Sequence, residues 1–173
     1  LSSAAVYGNP ETLPVDETHP PAPISAYGFH KWQTDLLCRE YAEVFGLHTT
    51  SLRIFSAYGS GLRRQVMWDM CQKIITQGRL PLRGDGEDSR DFVHAKDIAR
   101  ALETLATAQS VPGSIYNLGS EREITIKNLA TMILRSLDRN FPPEFDGQLK
   151  DGIPRHWRAD ISALRKLGYT PSI

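Results

Sequence analysis

The sequence of 173 residues lacks most features that mark secreted, membrane and nucleic-acid-binding proteins. Its two cysteines, Cys38 and Cys71, both lie in helical patterns, so we expect small core residues in a reducing compartment rather than a disulfide framework. No apolar run is long enough to cross a bilayer, and no signal-like segment occurs. The formal net charge of zero provides no broad basic surface. We therefore expect a cytoplasmic protein whose partners include neither a membrane nor a nucleic acid.

Two kinds of ligand site are also missing from the sequence. The five histidines show no metal-ligand spacing, so we expect no metal site. The thirteen glycines form no G-x-G-x-x-G motif, the turn that binds the pyrophosphate of a dinucleotide after the first strand of its fold. Leu1 leads directly into Ser2 and Ser3, a pattern typical of the end of a strand. We therefore expect the chain to be a fragment.

The first third of the chain predicts a strand, a long helix and a second strand. Five of the eleven prolines fall within residues 9–24, which predicts a loop. Ser25 is placed to cap a helix that runs to about Phe45 and stops at Gly46. The apolar residues of this helix are spaced for one broad face, and they include Phe29, Trp32, Leu36, Leu37, Tyr41 and Phe45. With a strand over residues 49–55, this order predicts a crossover in a parallel sheet.

After Tyr58 the pattern changes to shorter elements. Helices are predicted over residues 65–77 and 95–108 and from Thr125 onward, with short strands between them. This alternation predicts an α/β fold. We expect a first unit over residues 1–58 and a smaller unit over residues 59–173, from which segments around 90–120 can return to the first sheet.

Tyr27 and Lys31 are the most informative pair because residues four apart lie on one face of a helix. A tyrosine hydroxyl in water ionises near pH ~10, and a nearby ammonium group favours the phenolate. A lysine also has three donors that can hold a diol. Ser3, at the predicted strand end, would complete an acid/base site for removing a proton from an alcohol. Such a tyrosine–lysine pair also arises often by chance, so the motifs around it determine whether a catalytic role is favoured.

Five segments resemble motifs of one family. They are S-S-A-A-V-Y-G at Ser2–Gly8, S-A-Y-G-F-H-K at Ser25–Lys31, L-R-I-F-S-A-Y-G-S-G at Leu52–Gly61, R-D-F-V-H-A-K-D-I-A at Arg90–Ala99 and Y-N-L-G at Tyr116–Gly119. Their order and spacing resemble the C-terminal part of an extended short-chain dehydrogenase/reductase of the NAD-dependent sugar-nucleotide epimerase/dehydratase family. The resemblance implies an incomplete Rossmann-type parallel sheet with a small α/β substrate-binding domain.

The resemblance implies roles for individual residues. Ser3, Tyr27 and Lys31 match the catalytic residues of the family, and Tyr27 and Lys31 would also contact NAD. The implied reaction of an epimerase like UDP-glucose 4-epimerase is oxidation at C4 of the sugar by hydride transfer to NAD, with Tyr27 as base, followed by re-reduction on the opposite face. Ser56 and Arg90 match positions that contact the substrate. A guanidinium can grip two phosphate oxygens, whereas the alternative for Arg90 is a surface pair with Asp88 or Asp91.

The sequence departs from the family pattern at several positions. Ala4 and Ala5 stand where 4,6-dehydratases carry Asp-Glu, so epimerisation is favoured over dehydration. Ser56 replaces a frequent asparagine, and Lys150–Pro154 only partly matches a nucleotide-binding R-P-G-D-x-P segment. Arg63, Arg64 and Arg83 add positive charge, either at the site or on a solvated surface.

Without the glycine-rich turn, the adenine half of the NAD site is missing, so we expect this chain alone to be inactive. The expected partners are a nucleotide sugar and a second chain, in a homo-oligomer or through the exposed edge of the sheet. A reductase or decarboxylase of the same family, or a non-catalytic nucleotide-sugar-binding or interaction fragment, stays an open alternative.

Overall fold

The computed structural model describes residues 1–108, 110–149 and 154–173 and has an α/β fold. The strands are β1 Ser2–Ser3, β2 Ser51–Ile54, β3 Ser56–Tyr58, β4 Pro81–Leu82, β5 Ser89–His94, β6 Ile115–Leu118, β7 Glu123–Thr125 and β8 Glu144–Phe145. The helices are α1 Ala26–Phe45, α2 Gln65–Gln77, α3 Ala95–Thr107, α4 Ile126–Ser136 and α5 Ser162–Arg165, and a 3-10 turn covers Ala4–Tyr7. The predicted α/β class is confirmed.

The first sheet contains β1, β2 and β6 in that order, and all its pairings are parallel. Ser3 pairs with Ile54, and Ile54 pairs on its other side with Leu118. The predicted crossover from β1 through α1 to β2 is therefore present. β6 belongs to this sheet although it lies far along the chain, and the division of the chain at residue 58 stays a prediction.

The chain from Ser56 onward also forms a mixed sheet and a short parallel pair. β5 pairs in parallel with β3 and antiparallel with β7, while β4 pairs in parallel with β8. Together with α2 and α4, these strands enclose an apolar core whose buried members are Met70, Ile74, Leu80, Leu82, Phe92, Leu129, Ala130 and Leu134. This core holds one wall of the site described below.

Helix α1 has the predicted ends but a different buried face. Ser25 Oγ accepts a hydrogen bond from the Gly28 N–H at 3.1 Å, and Gly46 ends the helix with φ +65°. The only residues of α1 that are buried are Gly28 and Asp35. The predicted apolar face is exposed instead, and its side chains of Phe29, Leu36, Leu37, Tyr41 and Phe45 are 40–60% exposed. Helix α1 packs on β1, β2 and the 3-10 turn through a different stripe, so the apolar face is left exposed.

Some smaller predictions also need correction. Cys38 and Cys71 are free thiols as expected, yet both are half-buried rather than core residues. The proline-rich segment is a loop, and Val15 within it forms an isolated parallel bridge with Ala159. Within the described ranges, no helix has the length and hydrophobicity to cross a membrane. No set of three or more His, Cys, Asp or Glu side chains there is arranged to hold a metal ion.

Candidate active site

One cavity of about 1010 Å³ is lined by residues of both the first sheet and the mixed sheet. Side chains from β1, α1, β3, α2, β4 and β5 line it. All five residues predicted for the site, Ser3, Tyr27, Lys31, Ser56 and Arg90, are among its lining residues. The fold therefore brings together groups that are up to 87 positions apart in the sequence.

Ser3 occupies the end of β1, where the strand turns into the 3-10 turn. Its side chain is nearly buried, and Oγ accepts a hydrogen bond from the Ala5 N–H at 3.2 Å. That bond caps the turn and occupies a lone pair of the hydroxyl oxygen. Because a hydroxyl can accept and donate at once, the O–H of Ser3 can still donate toward a ligand in the cavity.

Tyr27 and Lys31 reach the cavity from the first turns of α1. Lys31 Nζ lies 5.7 Å from the centroid of the Tyr27 ring, within the range of a cation–π interaction. Lys31 Nζ also donates to the carbonyl oxygen of Leu1 at 3.1 Å. The Tyr27 side chain is 55% exposed, so its hydroxyl is accessible to a ligand.

Gly28 explains how α1 comes close enough to place these two side chains beside Ser3. A Cβ at this position would lie 2.5 Å from the carbonyl oxygen of Ala5 and 2.9 Å from Pro23 Cβ. Both distances are shorter than real Cβ contacts, so only glycine fits here without a shift of the helix. Sequence reasoning did not single out this residue, although a lone glycine in the first turn of a helix was the available signal.

Arg90 approaches the cavity from β5, and its guanidinium is held in place by neighbouring groups. Nη1 donates to the carbonyl oxygens of Ser89 at 2.6 Å and Arg155 at 3.2 Å. Cζ lies 5.4 Å from the centroid of the Trp157 ring. Burial lowers the pKa of Arg90, because desolvation disfavours the charged guanidinium, and a negative charge beside it would offset that cost.

The alternative partners considered for Arg90 are engaged elsewhere. Asp88 pairs with Arg155 Nη1 at 2.9 Å. Asp91 is fully buried and accepts hydrogen bonds from the backbone N–H groups of Ser120, Glu121 and Ala159 at 2.6–3.0 Å. A surface ion pair with either carboxylate is therefore not what holds Arg90.

The remaining lining residues give the cavity several further charges. Arg64 and Arg83 line it, whereas Arg63 does not contribute, so one of the three expected arginines lies outside the site. Lys73 lines it too and pairs with Asp69 at 2.7 Å. Two carboxylates also line the cavity, but the cationic side chains outnumber them, which suits a ligand with negative charges.

Trp157 is the lining residue whose role was missed, because the sequence indicated only packing. Its indole Nε1 donates to the carbonyl oxygen of Gly8 at 3.1 Å while its ring contacts Arg90. It thus connects the segment after the 3-10 turn to the arginine of β5. The motif predicted at Lys150–Pro154 falls almost entirely on residues 150–153, which lie outside the described residues.

Comparison with known protein families identifies the class of protein to which this site belongs. The model of the NAD dependent epimerase/dehydratase family matches residues 1–119. The chain belongs to this family, as the five sequence motifs implied. The match includes the segments that carry Ser3, Tyr27, Lys31, Ser56 and Arg90.

Individual relatives show how far the likeness extends. The chain is 31% identical to UDP-glucose 4-epimerase of Corynebacterium glutamicum over 98% of its own length and 56% of that protein. It superimposes on UDP-N-acetylglucosamine 4-epimerase from Methanobrevibacter ruminantium M1, solved with UDP-N-acetylmuramic acid, with a TM-score of 0.90, 28% identity and coverage of 99% and 56% of the two chains. A dTDP-glucose 4,6-dehydratase from Streptomyces venezuelae, solved with NAD, gives the same TM-score and identity, with coverage of 99% and 54%. The chain spans about half the length of the curated relatives it matches.

Proposed function

We propose that this chain carries the acid/base groups and the substrate side of an NAD-dependent nucleotide-sugar 4-epimerase. The observation that supports this most directly is the single cavity in which Ser3, Tyr27 and Lys31 meet Ser56 and Arg90. In the proposed reaction, each of these groups would contact either the nucleotide sugar or NAD. The volume of about 1010 Å³ is at the upper end of ordinary ligand sites.

The catalytic roles follow from the positions of the hydroxyl and ammonium groups. Tyr27 would take the proton from the sugar 4-hydroxyl, and Ser3 would donate a hydrogen bond to the same oxygen. Lys31 would stabilise the phenolate through its positive charge. One of its three N–H donors is used on the Leu1 carbonyl, so two can hold the hydroxyls of a ribose.

The cofactor fits the residues present only in part. When bound, NAD accepts a hydride from the sugar and returns it. Tyr27 and Lys31 would contact its nicotinamide ribose, but the glycine-rich turn for its pyrophosphate does not occur in this sequence. We therefore propose that these 173 residues bind the nucleotide sugar more readily than NAD and are inactive alone.

The substrate would lie with its phosphates against the cationic part of the cavity. Arg90 is held through Nη1, so its other nitrogens can bind phosphate oxygens. Arg64 and Arg83 provide further positive charge in the same cavity. Ser56, the first residue of β3, lines the same cavity, where it would contact the sugar.

The relatives include both epimerases and dehydratases, so similarity alone does not separate the two reactions. Ala4 and Ala5 favour epimerisation, because elimination of water needs an acid at this place. Ala5 lines the cavity and offers it only a methyl group, whereas Ala4, next to it in the chain, is fully buried.

A second copy of the chain is the partner we propose for α1. Its exposed apolar side chains include Leu36, Leu37, Tyr41 and Phe45, and β1 leaves one edge of the first sheet unpaired within the described residues. Sedimentation of the chain and of Leu37→Lys tests this, with a dimer expected for the former and a monomer for the latter. A monomer in both cases would contradict it.

Calorimetry with UDP and with NAD tests the proposed binding properties of the chain. We expect UDP to bind and NAD to bind at least tenfold more weakly. Arg90→Ala should lower UDP affinity about 10- to 150-fold, since a lost charge-assisted hydrogen bond costs about 1.5–3 kcal/mol. Arg63→Ala is the matched control, because Arg63 does not line the cavity. Equal losses in both variants would contradict the placement of the phosphates.

Turnover tests the catalytic assignment in a full-length protein that contains this chain together with a glycine-rich half. Tyr27→Phe should lower kcat by at least a thousandfold while leaving UDP affinity unchanged, because only the transferable proton is removed. Retained turnover would overturn the assignment of Tyr27. Binding of UDP without any epimerisation by the full-length protein would favour the alternative, a non-catalytic nucleotide-sugar-binding module.

A further inference from the structure

Asp35 is the one ionisable side chain that α1 buries, and it follows the catalytic pair at regular spacing. It comes four residues after Lys31 and eight after Tyr27, so the three side chains form one stripe along the helix. Asp35 is only 3% exposed. Aspartate is rarely buried unless it is paired, so its partners determine why it lies there.

The partners of Asp35 belong to β2. Arg53 Nε donates to Asp35 Oδ2 at 2.8 Å, and the hydroxyl of Ser51 donates to Asp35 Oδ1. Arg53 is itself only 2% exposed. Both carboxylate oxygens are therefore bonded to one strand, so the carboxylate cannot slide along α1 without breaking two directional hydrogen bonds.

Arg53 continues the connection to the turn that follows Ser3. Its Cζ lies 4.7 Å from the centroid of the Tyr7 ring, and Tyr7 is the last residue of the 3-10 turn. The Tyr7 hydroxyl donates to Asn117 Oδ1 on β6 at 2.7 Å. One buried polar network thus joins α1, which carries Tyr27 and Lys31, to the segment that carries Ser3.

We propose that Asp35 and Arg53 are positioning residues that fix α1 along its axis and thereby hold Tyr27 and Lys31 opposite Ser3. The kinetic part of this inference rests on the proposed function. Apolar packing is non-directional and would leave a helix some freedom to slide. The apolar face of α1 is exposed within the described residues, so it does not hold the helix in place. A displacement of about 1 Å at a catalytic group can lower a rate a hundredfold.

An apolar replacement of the pair separates positioning from stability. Well-packed apolar residues of similar volume often match or exceed the stability of a buried ion pair. The double variant Asp35→Leu/Arg53→Met should therefore stay folded and unfold at no lower urea concentration than the parent chain. The matched control is Arg39→Met/Glu43→Leu, which removes an exposed pair from the same helix.

The first readout uses the 173-residue chain alone and needs no turnover. In the parent chain we expect nuclear Overhauser contacts between Lys31 and Leu1 and between Gly28 and Ala5. The double apolar variant should lose or weaken these contacts at unchanged stability, and the control should keep them. If the apolar variant keeps the contacts, the positioning role is refuted.

The second readout is the split between kcat and KM in a full-length protein that contains the chain. We expect kcat of the apolar variant to fall about 10- to 100-fold, while KM for the nucleotide sugar changes less than threefold. A parental kcat despite lost contacts would also refute the proposal. Should the apolar variant fail to fold, Asp35→Asn provides the same two readouts, because it keeps the side-chain volume and removes the charge.

The two proposals fail in different ways. If Tyr27→Phe keeps its turnover, the proposed function is wrong, while the contacts of the first readout still decide whether Asp35 and Arg53 fix α1. If Tyr27→Phe is inactive but the Asp35 variants behave like the parent, only the positioning role is wrong.

Discussion

Helices α1 and α4 have similar N-terminal caps but are held to the protein by different forces. A side-chain oxygen caps each of them, from Ser25 in α1 and from Thr125 in α4. Helix α4 then buries Leu129, Ala130 and Leu134 against the apolar core that it shares with α2. Helix α1 is nearly twice as long and buries one glycine and one aspartate.

The two helices show that the contacts that stabilise a helix can differ from the contacts that fix its position. Apolar burial contributes free energy roughly in proportion to area and tolerates repacking, so α4 mainly stabilises its half of the chain. The bonds of Asp35 and the close contact of Gly28 define a position, and α1 is the helix that carries Tyr27 and Lys31. Substitutions in α4 should therefore lower the free energy of unfolding, and substitutions in the buried stripe of α1 should displace Tyr27 and Lys31.

The largest effect on stability is expected from Leu134→Ala in α4. Leu134 is 4% exposed, and truncating a buried leucine lowers the free energy of unfolding by about 2–5 kcal/mol. UDP affinity should not change under conditions in which the variant is folded. Urea titration followed by circular dichroism measures the first effect and calorimetry the second. Met132→Ala, on the exposed side of the same helix, is the control and should change stability by less than about 0.5 kcal/mol.

Gly28→Ala should produce the next largest effect on stability. Whether it raises or lowers the free energy of unfolding tests the close approach of α1 to the 3-10 turn. In an open helix interior, alanine is more favourable than glycine by up to about 1 kcal/mol. Here the added methyl meets the Ala5 carbonyl, so we expect a loss of about 1–3 kcal/mol together with weaker contacts between α1 and residues 1–5. The exposed Gln33→Ala on the same helix should be nearly neutral. A stabilised Gly28→Ala chain would show that the helix can move away freely.

Sequence patterns predicted the parts of this comparison that depend on neighbouring residues. The cap at Ser25 and the stop at Gly46 define α1 locally, and the spacing of Tyr27 and Lys31 places both on one face without knowledge of the fold. The strand, helix and strand then follow from the order of the elements. These signals need only the residues next to them.

The buried stripe of α1 could not be predicted in this way. Periodicity identifies an apolar face but does not reveal what covers it, and here Tyr41 and Phe45 are exposed. Nothing in the sequence indicates that Asp35 is buried, because its partner Arg53 is 18 positions away and pairs with it only after α1 packs on β2. Burial of a charge depends on such a distant partner, which a single sequence does not indicate.

The site shows the same limit at Arg90 and Trp157. The motif of β5 identified Arg90, but its backbone contacts come from Ser89 and Arg155, and its ring contact comes from Trp157. The tryptophan lies 67 positions from the arginine, so composition could suggest only a packing residue. Which groups hold a side chain is decided by the tertiary fold.

Ser25→Ala tests whether the cap of α1 contributes stability alone. Loss of a serine cap costs about 0.5–2 kcal/mol, typically about 1 kcal/mol, because the Gly28 N–H loses its acceptor. We expect a small downward shift of the urea midpoint and intact contacts between Lys31 and Leu1. Ser25→Asp should restore stability, since aspartate caps as well as serine. Weaker contacts in Ser25→Ala would mean that the cap also positions the helix.

Tyr169→Phe should have the smallest effect on stability at neutral pH. It tests a buried polar group in the core that packs against the first sheet. Tyr169 is buried in that core, and its hydroxyl has no hydrogen-bond partner among the described residues. Burial raises the pKa of Tyr169 to about 12. Because an unfolded tyrosine ionises near pH ~10, the folded state is penalised as the pH rises from about 10 toward 12, and this part of the stability is complete only below pH ~10.

The phenylalanine variant cannot ionise at this position, so its stability should fall less than that of the parent chain between pH 10 and pH 11. At pH 7 the two should agree within about 1 kcal/mol, since the change removes a buried hydroxyl that makes no hydrogen bond. Urea titrations at pH 7, 10 and 11 measure the difference. Parallel losses in both chains would mean that the Tyr169 hydroxyl is hydrated in the folded state.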